Sequence, residues 1–184
     1  YGLYIEDCDN LVSSPGLIAN NFMSIGGNGV ARGIYMTGSS YYNILNNNFH
    51  ITNTHTGQSI GVPMYLTSNP SLKVYNNNFS NAGVGYGIYA NNNTSFLADY
   101  NNYYVLGSQI GYWNGTARTT LSDWQSSTGQ DLNAIEINPQ FMSDSDLHVS
   151  NVLLNGAGLF QALVTQDIDG ESRQNPPDIG ADEF

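Results

Sequence analysis

The sequence predicts an all-β protein, namely a parallel β-helix of about four coils followed by a C-terminal capping segment that contains one short helix. An Asn-Asn-aromatic motif returns four times at intervals of 24–30 residues, a period that is typical of stacked repeat architectures. A Gly-led apolar segment returns in step with this motif and opens each unit. The motifs are Asn20–Phe22, Asn47–Phe49, Asn77–Phe79 and Asn101–Tyr103, and the opening glycines are Gly2, Gly33, Gly61 and Gly87.

Within one unit the residues favour short strands. β-Branched and aromatic residues occur in every run, and Gly, Ser and Asn interrupt each run before a helix can form. In the segment Gly33–Met36 the side chains alternate, so Ile34 and Met36 point to one side and Tyr35 to the other. Stacking the units predicts three inward columns, in which each side chain contributes roughly 1.5–3 kcal/mol by burial. The predicted columns are Leu3, Ile34, Val62 and Ile88; Ile5, Met36, Met64 and Ala90; and Leu17, Ile44, Val74 and Ala98.

The Asn residues have a separate role at the corners between strands. A chain that turns sharply frees backbone donors and acceptors and often needs a positive φ, which Asn tolerates while its side chain bonds the backbone. Asn side chains at equivalent positions of successive coils also hydrogen-bond along a stack. We therefore expect one Asn ladder and one inward aromatic column. Their expected members are Asn20, Asn47, Asn77 and Asn101, and Phe22, Phe49, Phe79 and Tyr103.

The repeat pattern resembles that of right-handed parallel β-helix repeat proteins. The resemblance rests on the Gly-Ile opening and on the later series Ile44, Asn46, Asn47 and Phe49, and it covers residues 1–112. It implies a right-handed solenoid. It is specific for fold rather than for function, because lyases, hydrolases, adhesins and phage spikes share this architecture.

Residues 113–184 are expected to form the capping segment. The run Thr119–Gln125 predicts the short helix, with Thr119 or Thr120 as its N-cap, Trp124 on its buried side and Gly129 at its end. Asn138–Phe141 resembles the Asn-Pro-x-Phe strand of secreted bacterial β-helix proteins, and this resemblance implies a strand here. We expect this segment to cover the exposed edge and the apolar bottom of the solenoid.

The last two motifs resemble the closing region of secreted bacterial surface proteins. They are Asp167–Arg173, with the pattern Asp-x-Asp-Gly-x-x-Arg, and Asp178–Glu183, with the pattern Asp-Ile-Gly-Ala-x-Glu. Because a sorting or anchoring domain often follows such a region, the resemblance implies an exported, extracellular protein. Arg173 is expected to pair with Asp178 or Asp169 and to pin the last segment to the final coil. We also expect the chain to be the C-terminal part of a longer protein.

Charge excludes some classes of function. The formal net charge is −11, which disfavours nucleic acids and anionic membranes as partners, and no apolar run is long enough for a membrane span. Eleven of the 15 acidic residues follow residue 113, so the coils are almost uncharged. A neutral surface rich in Asn, Ser, Thr and Tyr suits an extracellular, sugar-facing protein.

The sequence offers three candidate binding sites, each with an alternative that involves no ligand. Outward Tyr4, Tyr35 and Tyr89, in a column broken by Pro63, together with Tyr75 on another face, are candidates for binding carbohydrate, because sugar rings stack on aromatic faces. The alternative is that these rings only pack on one another. Asp167, Asp169 and Glu171 resemble half of a calcium loop, and the alternative is a purely structural role. The acidic first turn, Glu6–Asp9, is a further calcium candidate beside a solvated turn, and His50 and His55 are expected to be surface histidines.

The sequence gives little support for catalysis by this chain. Hydrolysis of a glycoside needs two carboxyl groups about 5–10 Å apart, whereas the middle coils contain no Asp or Glu. We therefore expect a non-catalytic adhesive or glycan-binding module whose partner is a polysaccharide or cell-surface glycan. One alternative is the C-terminal part of a polysaccharide lyase or glycoside hydrolase whose active site lies upstream. The other is a structural stalk, joined end to end with upstream coils or another chain through the open first coil.

Overall fold

The protein is an all-β parallel β-helix, as predicted. A computed structural model describes residues 1–57 and 59–184. Each coil contributes three successive strands, one to each of three sheets. The first sheet contains β1 (Leu3–Glu6), β4 (Ala31–Thr37), β7 (Gly61–Thr67), β10 (Ile88–Asn91), β13 (Gly111–Trp113) and β14 (Thr116–Arg118). The second contains β2 (Gly16–Ala19), β5 (Tyr42–Leu45), β8 (Pro70–Tyr75) and β11 (Thr94–Asp99), and the third β3 (Phe22–Gly27), β6 (Asn48–Asn53), β9 (Asn78–Asn81) and β12 (Asn102–Val105).

Four complete coils are stacked, and we number them 1 to 4 from the N-terminus. Strands of successive coils pair in parallel in all three sheets. The stack ends where β13 is followed by β14 in an antiparallel hairpin. β1, β2 and β3 lie at the outer edges of their sheets, so coil 1 leaves one edge of every sheet open.

The core columns differ from the predicted ones in two places. In coil 3 Met64, not Val62, pairs with Ile34 and Ile88, while Val62 pairs with Arg32. The predicted register was wrong because Gly61 pairs with Ala31 and not with Gly33, so the glycine of coil 3 lies two residues before the position that the opening glycine of coil 2 occupies. In coil 1 Ile18, not Leu17, pairs with Ile44, and Leu17 is 48% exposed. The observed columns are Leu3, Ile34, Met64 and Ile88; Ile5, Met36, Leu66 and Ala90; and Ile18, Ile44, Val74 and Ala98.

An Asn ladder crosses all four coils, and its first member is Asn21 rather than Asn20. Each Nδ2 donates to the Oδ1 of the next residue, over 2.8 Å from Asn21 to Asn47, 2.9 Å from Asn47 to Asn77 and 3.1 Å from Asn77 to Asn101. The same amides donate to backbone carbonyls at the corner, for example Asn77 to Ile44 and Tyr75. Buried backbone acceptors that the turn frees are thereby satisfied.

The aromatic column is shifted by one residue in coil 1. Met23, not Phe22, pairs with Phe49, which continues to Phe79 and Tyr103. The Phe49 and Phe79 rings stack with centroids 5.5 Å apart. The first motif has the predicted sequence, but its strand begins at the aromatic residue, one position later in the motif than in the other coils, where the strand begins at the second Asn. Phe22 therefore pairs with Asn48 and lies outside the core.

A helix closes the end of the stack. α1 (Leu121–Thr128) is capped by the Thr120 side chain, which accepts from the Asp123 N–H, and it ends at Gly129 in the left-handed conformation, as predicted. Trp124 is fully buried against Trp113 and Tyr103, with ring centroids 5.9 and 6.3 Å away. The apolar end of the core is therefore covered by this helix.

Residues 131–184, which we call the tail, do not stay at the bottom of the solenoid. The first part of the tail runs along the stack from coil 4 to coil 1. Asn102 in coil 4 donates a hydrogen bond to the Ile137 carbonyl, and Ser24 in coil 1 donates one to the Asp144 carbonyl. Later parts of the tail contact coil 3, where Asn76 donates to the Leu159 carbonyl, and then coil 1 again, where Asn20 donates to the Gln166 carbonyl. The C-terminal segment therefore covers more of the solenoid than the bottom and the edge that were expected, because Asn side chains on either side of the ladder bind the tail along the flank.

Two details of the tail also differ from expectation. Asn138–Phe141 forms no strand, and the tail contains only a 3-10 turn, Val152–Leu154, and isolated bridges. Arg173 pairs with Glu183 at 3.2 Å, not with Asp178 or Asp169, and it also donates to Asn20 and to the Gly180 carbonyl. Asp178 instead accepts from the Gly156 and Phe184 N–H groups. Arg173 thus pins the end of the chain to coil 1 rather than to the final coil.

Candidate functional site

The outward tyrosines form a continuous ladder on the first sheet. Tyr65, which the predicted register overlooked, fills the position where Pro63 was expected to break the column. Neighbouring rings are nearly parallel, and their centroids are 4.8 Å apart for Tyr4–Tyr35, 5.4 Å for Tyr35–Tyr65, 4.1 Å for Tyr65–Tyr89 and 4.4 Å for Tyr89–Tyr112. The faces of the inner rings are therefore covered by one another. The ladder presents ring edges and hydroxyl groups to solvent.

Other contacts hold this ladder in place. The Arg32 guanidinium lies over the Tyr65 ring, 3.6 Å from its centroid, in the geometry of a cation–π contact. The Tyr4 hydroxyl donates to Glu6, and this hydrogen bond raises the pKa of Tyr4 to about 12. Tyr75 lies apart, half-buried on the second sheet, and its pKa is raised by burial. Carbohydrate binding by Tyr4, Tyr35, Tyr75 and Tyr89 stays a prediction.

A groove of about 270 Å³ crosses the outer face of the second sheet. Its floor includes one row of outward residues from coils 2, 3 and 4, Asn43, Lys73 and Leu97, which the strand register aligns. One border is a row of residues with positive φ at or near the starts of β5, β8 and β11, and the other comes from the loop between β1 and β2. The groove therefore combines an ammonium, an amide, hydroxyls and apolar surface. The bordering residues are Tyr41, Ser71 and Ser95 on one side and Val12 and Pro15 on the other.

The three predicted calcium ligands are not arranged as one ligand set. Asp167 is buried, and its carboxylate accepts from the N–H groups of Asp169, Glu171 and Glu183. Asp169 faces away from this turn towards His148, and Glu171 is exposed. The Asp167 carboxylate therefore organises the turn, and the geometry supports the structural alternative.

A different group brings together ligating side chains from three parts of the tail. In the described part of the chain, nitrogen and oxygen atoms of His148, Asp169 and Asp182 lie within 4.8 Å of one another. The imidazole Nε2 is 2.8 Å from Asp169 Oδ2, and Nδ1 is in hydrogen-bond contact with Asp146. The hydrogen bonds to Asp146 and Asp169 raise the pKa of His148 to about 9. This cluster was not anticipated from the sequence.

His50 also joins the coils to the tail. Its Nδ1 lies 2.9 Å from Ser80 Oγ and its Nε2 lies 3.2 Å from Asp144. These are the residue types of a nucleophilic triad, beside a cavity of about 240 Å³. Ser80, however, is only 1% exposed, which leaves its hydroxyl little room to attack a substrate. We interpret these hydrogen bonds as a contact that holds the tail to β6.

No protein-family model matches the chain, and neither a curated protein nor a solved structure does so. Among the residues that the structure describes, no helix has both the length and the apolar character needed to cross a membrane.

Proposed function

We propose that the chain is an extracellular, non-catalytic carbohydrate-binding module that holds a polysaccharide or cell-surface glycan in the groove on the second sheet. The observation that carries this proposal is the combination of groups in the groove. Sugar sites need both apolar or aromatic surface and a few placed polar groups, and the groove offers Tyr41 and Leu97 beside Asn43, Ser71 and Lys73.

The size and charge of the groove limit the kind of glycan that it can bind. A volume of about 270 Å³ lies just below the roughly 300–1,000 Å³ of sites that enclose a drug-sized ligand, so one or two sugar rings would fit while the rest of a chain extends outside. Lys73 is exposed and is the only lysine of the protein. Its ammonium favours a glycan with a carboxylate or sulfate group, whose attraction would overcome the negative net charge locally.

Glycan-array binding, followed by titration of the best ligand, tests the proposal. Lys73→Ala and Tyr41→Ala are each expected to weaken binding about tenfold or more, since one charged hydrogen bond contributes about 1.5–3 kcal/mol. Arg118→Ala is the matched control, because it removes one positive charge outside the groove. Unchanged binding by both groove variants, with loss in Tyr4→Ala, would move the site to the tyrosine ladder. Absence of binding to every glycan would overturn the proposal.

The open edge of coil 1 favours a structural stalk as a second candidate function. β1, β2 and β3 all lie at sheet edges, and Leu3, Ile5 and Met23 are only partly buried there. Unpaired parallel edges of this kind are templates for further strands. Sedimentation velocity and electron microscopy test this function, which predicts end-to-end particles. A chain that remains monomeric and unpaired at high concentration would speak against self-association.

A further inference from the structure

We propose that His148, Asp169 and Asp182 form a binding site for a divalent transition-metal ion, with Zn²⁺ the best-suited probe. The three side chains come from separate stretches of the tail, and their ligand atoms lie within 4.8 Å of one another. An imidazole nitrogen with carboxylate oxygens is a donor set that suits Zn²⁺ and related ions, whereas Ca²⁺ takes oxygen ligands. This site shares Asp169 with the calcium loop that the sequence suggested, but its other two ligands and its metal differ.

The orientation of the imidazole is the second observation. Its Nδ1 is hydrogen-bonded to the Asp146 carboxylate, while its Nε2 lies 2.8 Å from Asp169 Oδ2. A histidine that binds a metal through one nitrogen nearly always donates its other N–H to a carboxylate or carbonyl, which fixes the tautomer and the ring. The Phe22 ring packs edge-on against the imidazole with centroids 4.9 Å apart. Nε2 is thus held in the direction that a metal ligand requires.

The charges around the imidazole also favour a cation. Asp182 is only 6% exposed, and its Oδ2 accepts from the Val149 N–H. Together with Asp146 and Asp169 it places three carboxylates around one histidine, so even a protonated imidazole leaves a net charge of −2. The guanidinium of Arg173, the one Lys or Arg side chain of the tail, is already paired with Glu183. A divalent ion would balance this charge and tie three stretches of the tail together.

Isothermal titration of chelator-treated protein with ZnCl₂ tests the site, and Co²⁺ absorption reports the ligand geometry. Wild type is expected to bind one ion, and His148→Gln or Asp169→Asn to weaken binding by at least 100-fold. Asp146→Asn, which removes only the orienting carboxylate, is expected to weaken binding about 10–100-fold. His50→Gln is the matched control, because it removes another histidine that contacts the tail and is expected to leave affinity unchanged.

Several results would overturn the site. One is equal Zn²⁺ affinity in wild type and His148→Gln, because binding would then reflect the acidic surface as a whole. Another is binding of Ca²⁺ that His148→Gln leaves intact. Asp169 is exposed at its side chain, so Asp169→Asn should remain folded by circular dichroism, and loss of Zn²⁺ binding in that variant cannot be ascribed to unfolding. A rise in melting temperature with saturating Zn²⁺, absent in both variants, would support the site.

Discussion

Asp131 gives a sharp test of how the end of the solenoid is closed. Its carboxylate is fully buried and accepts hydrogen bonds, each 2.8 Å long, from Asn101 Nδ2, Tyr103 Oη and Trp124 Nε1. Burial raises its pKa while the three donors lower it, and burial has the larger effect, so the pKa rises from 3.8 to about 6. Asp131 therefore ends the Asn ladder with a group that resists ionisation.

The sign of the pH dependence follows from this shift. The native state keeps the Asp131 proton up to about pH 6, whereas the unfolded state loses it near pH 3.8. Between these values the native state binds more protons, so the free energy of unfolding falls as pH rises. A shift of about two units corresponds to about 3 kcal/mol, which is fully present below pH 4 and lost by about pH 7.

Asp131→Asn isolates this contribution, because asparagine does not titrate. The NH₂ group of the new side chain meets a buried donor and adds a constant penalty, of roughly 1–3 kcal/mol, at every pH. The unfolding free energy of wild type minus that of Asp131→Asn should therefore fall by about 3 kcal/mol between pH 3 and pH 7. Urea titrations followed by tryptophan fluorescence at several pH values measure it.

The control for this experiment is Glu136→Gln, which neutralises an exposed acid; an equal fall with pH in that variant would show that the trend is not specific to Asp131. A difference for Asp131→Asn that is flat over this range would contradict the buried, proton-retaining carboxylate. A difference that grows with pH would refute it more strongly, because the three donors would then outweigh burial and depress the pKa.

Three further substitutions test other parts of the structure. Gly180→Ala should destabilise by more than 2 kcal/mol in urea, because Gly180 has φ +113° and an added Cβ would collide with the amides of Asn48 and Asn78; wild-type stability would contradict this packing. Tyr65→Ala should cost about 3 kcal/mol, since it removes a ring stacked on both sides, and an equal loss in the end-rung variant Tyr112→Ala would argue against the ladder. Arg173→Lys should lose about 1–2 kcal/mol and speed limited proteolysis of the tail, and unchanged proteolysis would show that its bonds do not secure that segment.

The repeat determined how much of the fold was predictable. A motif that returns with a regular period indicates stacked strands, because each coil must bury the same face. The period was therefore enough to predict the parallel β-helix. The period alone was not enough to predict which residues of neighbouring coils pair. Tyr65 is the residue that would have revealed it, since aligning it with Tyr35 puts Met64 over Ile34, whereas counting from Gly61 does not.

The tail was harder to predict because it has no period of its own. Its course is set by hydrogen bonds from the outward Asn side chains to backbone carbonyls, as from Asn48 to Leu147 and from Asn78 to Ile179. Such contacts join residues about 100 positions apart and leave no local signature. The cluster at His148 was missed for the same reason, although the neighbouring pair Asp146 and His148 was visible as a possible carboxylate–histidine contact.

The position of the tail has a consequence for the order in which the molecule is assembled. Contacts between neighbouring coils join residues about 24–33 positions apart, so each new coil can be added to the previous one soon after it emerges from the ribosome. Arg173 reaches back 153 residues to Asn20, and this bond forms only after nearly the whole chain has been synthesised. The tail therefore binds the coils last, and it makes the first coil, whose strands each pair with one neighbouring strand in this structure, depend on the final residues of the chain.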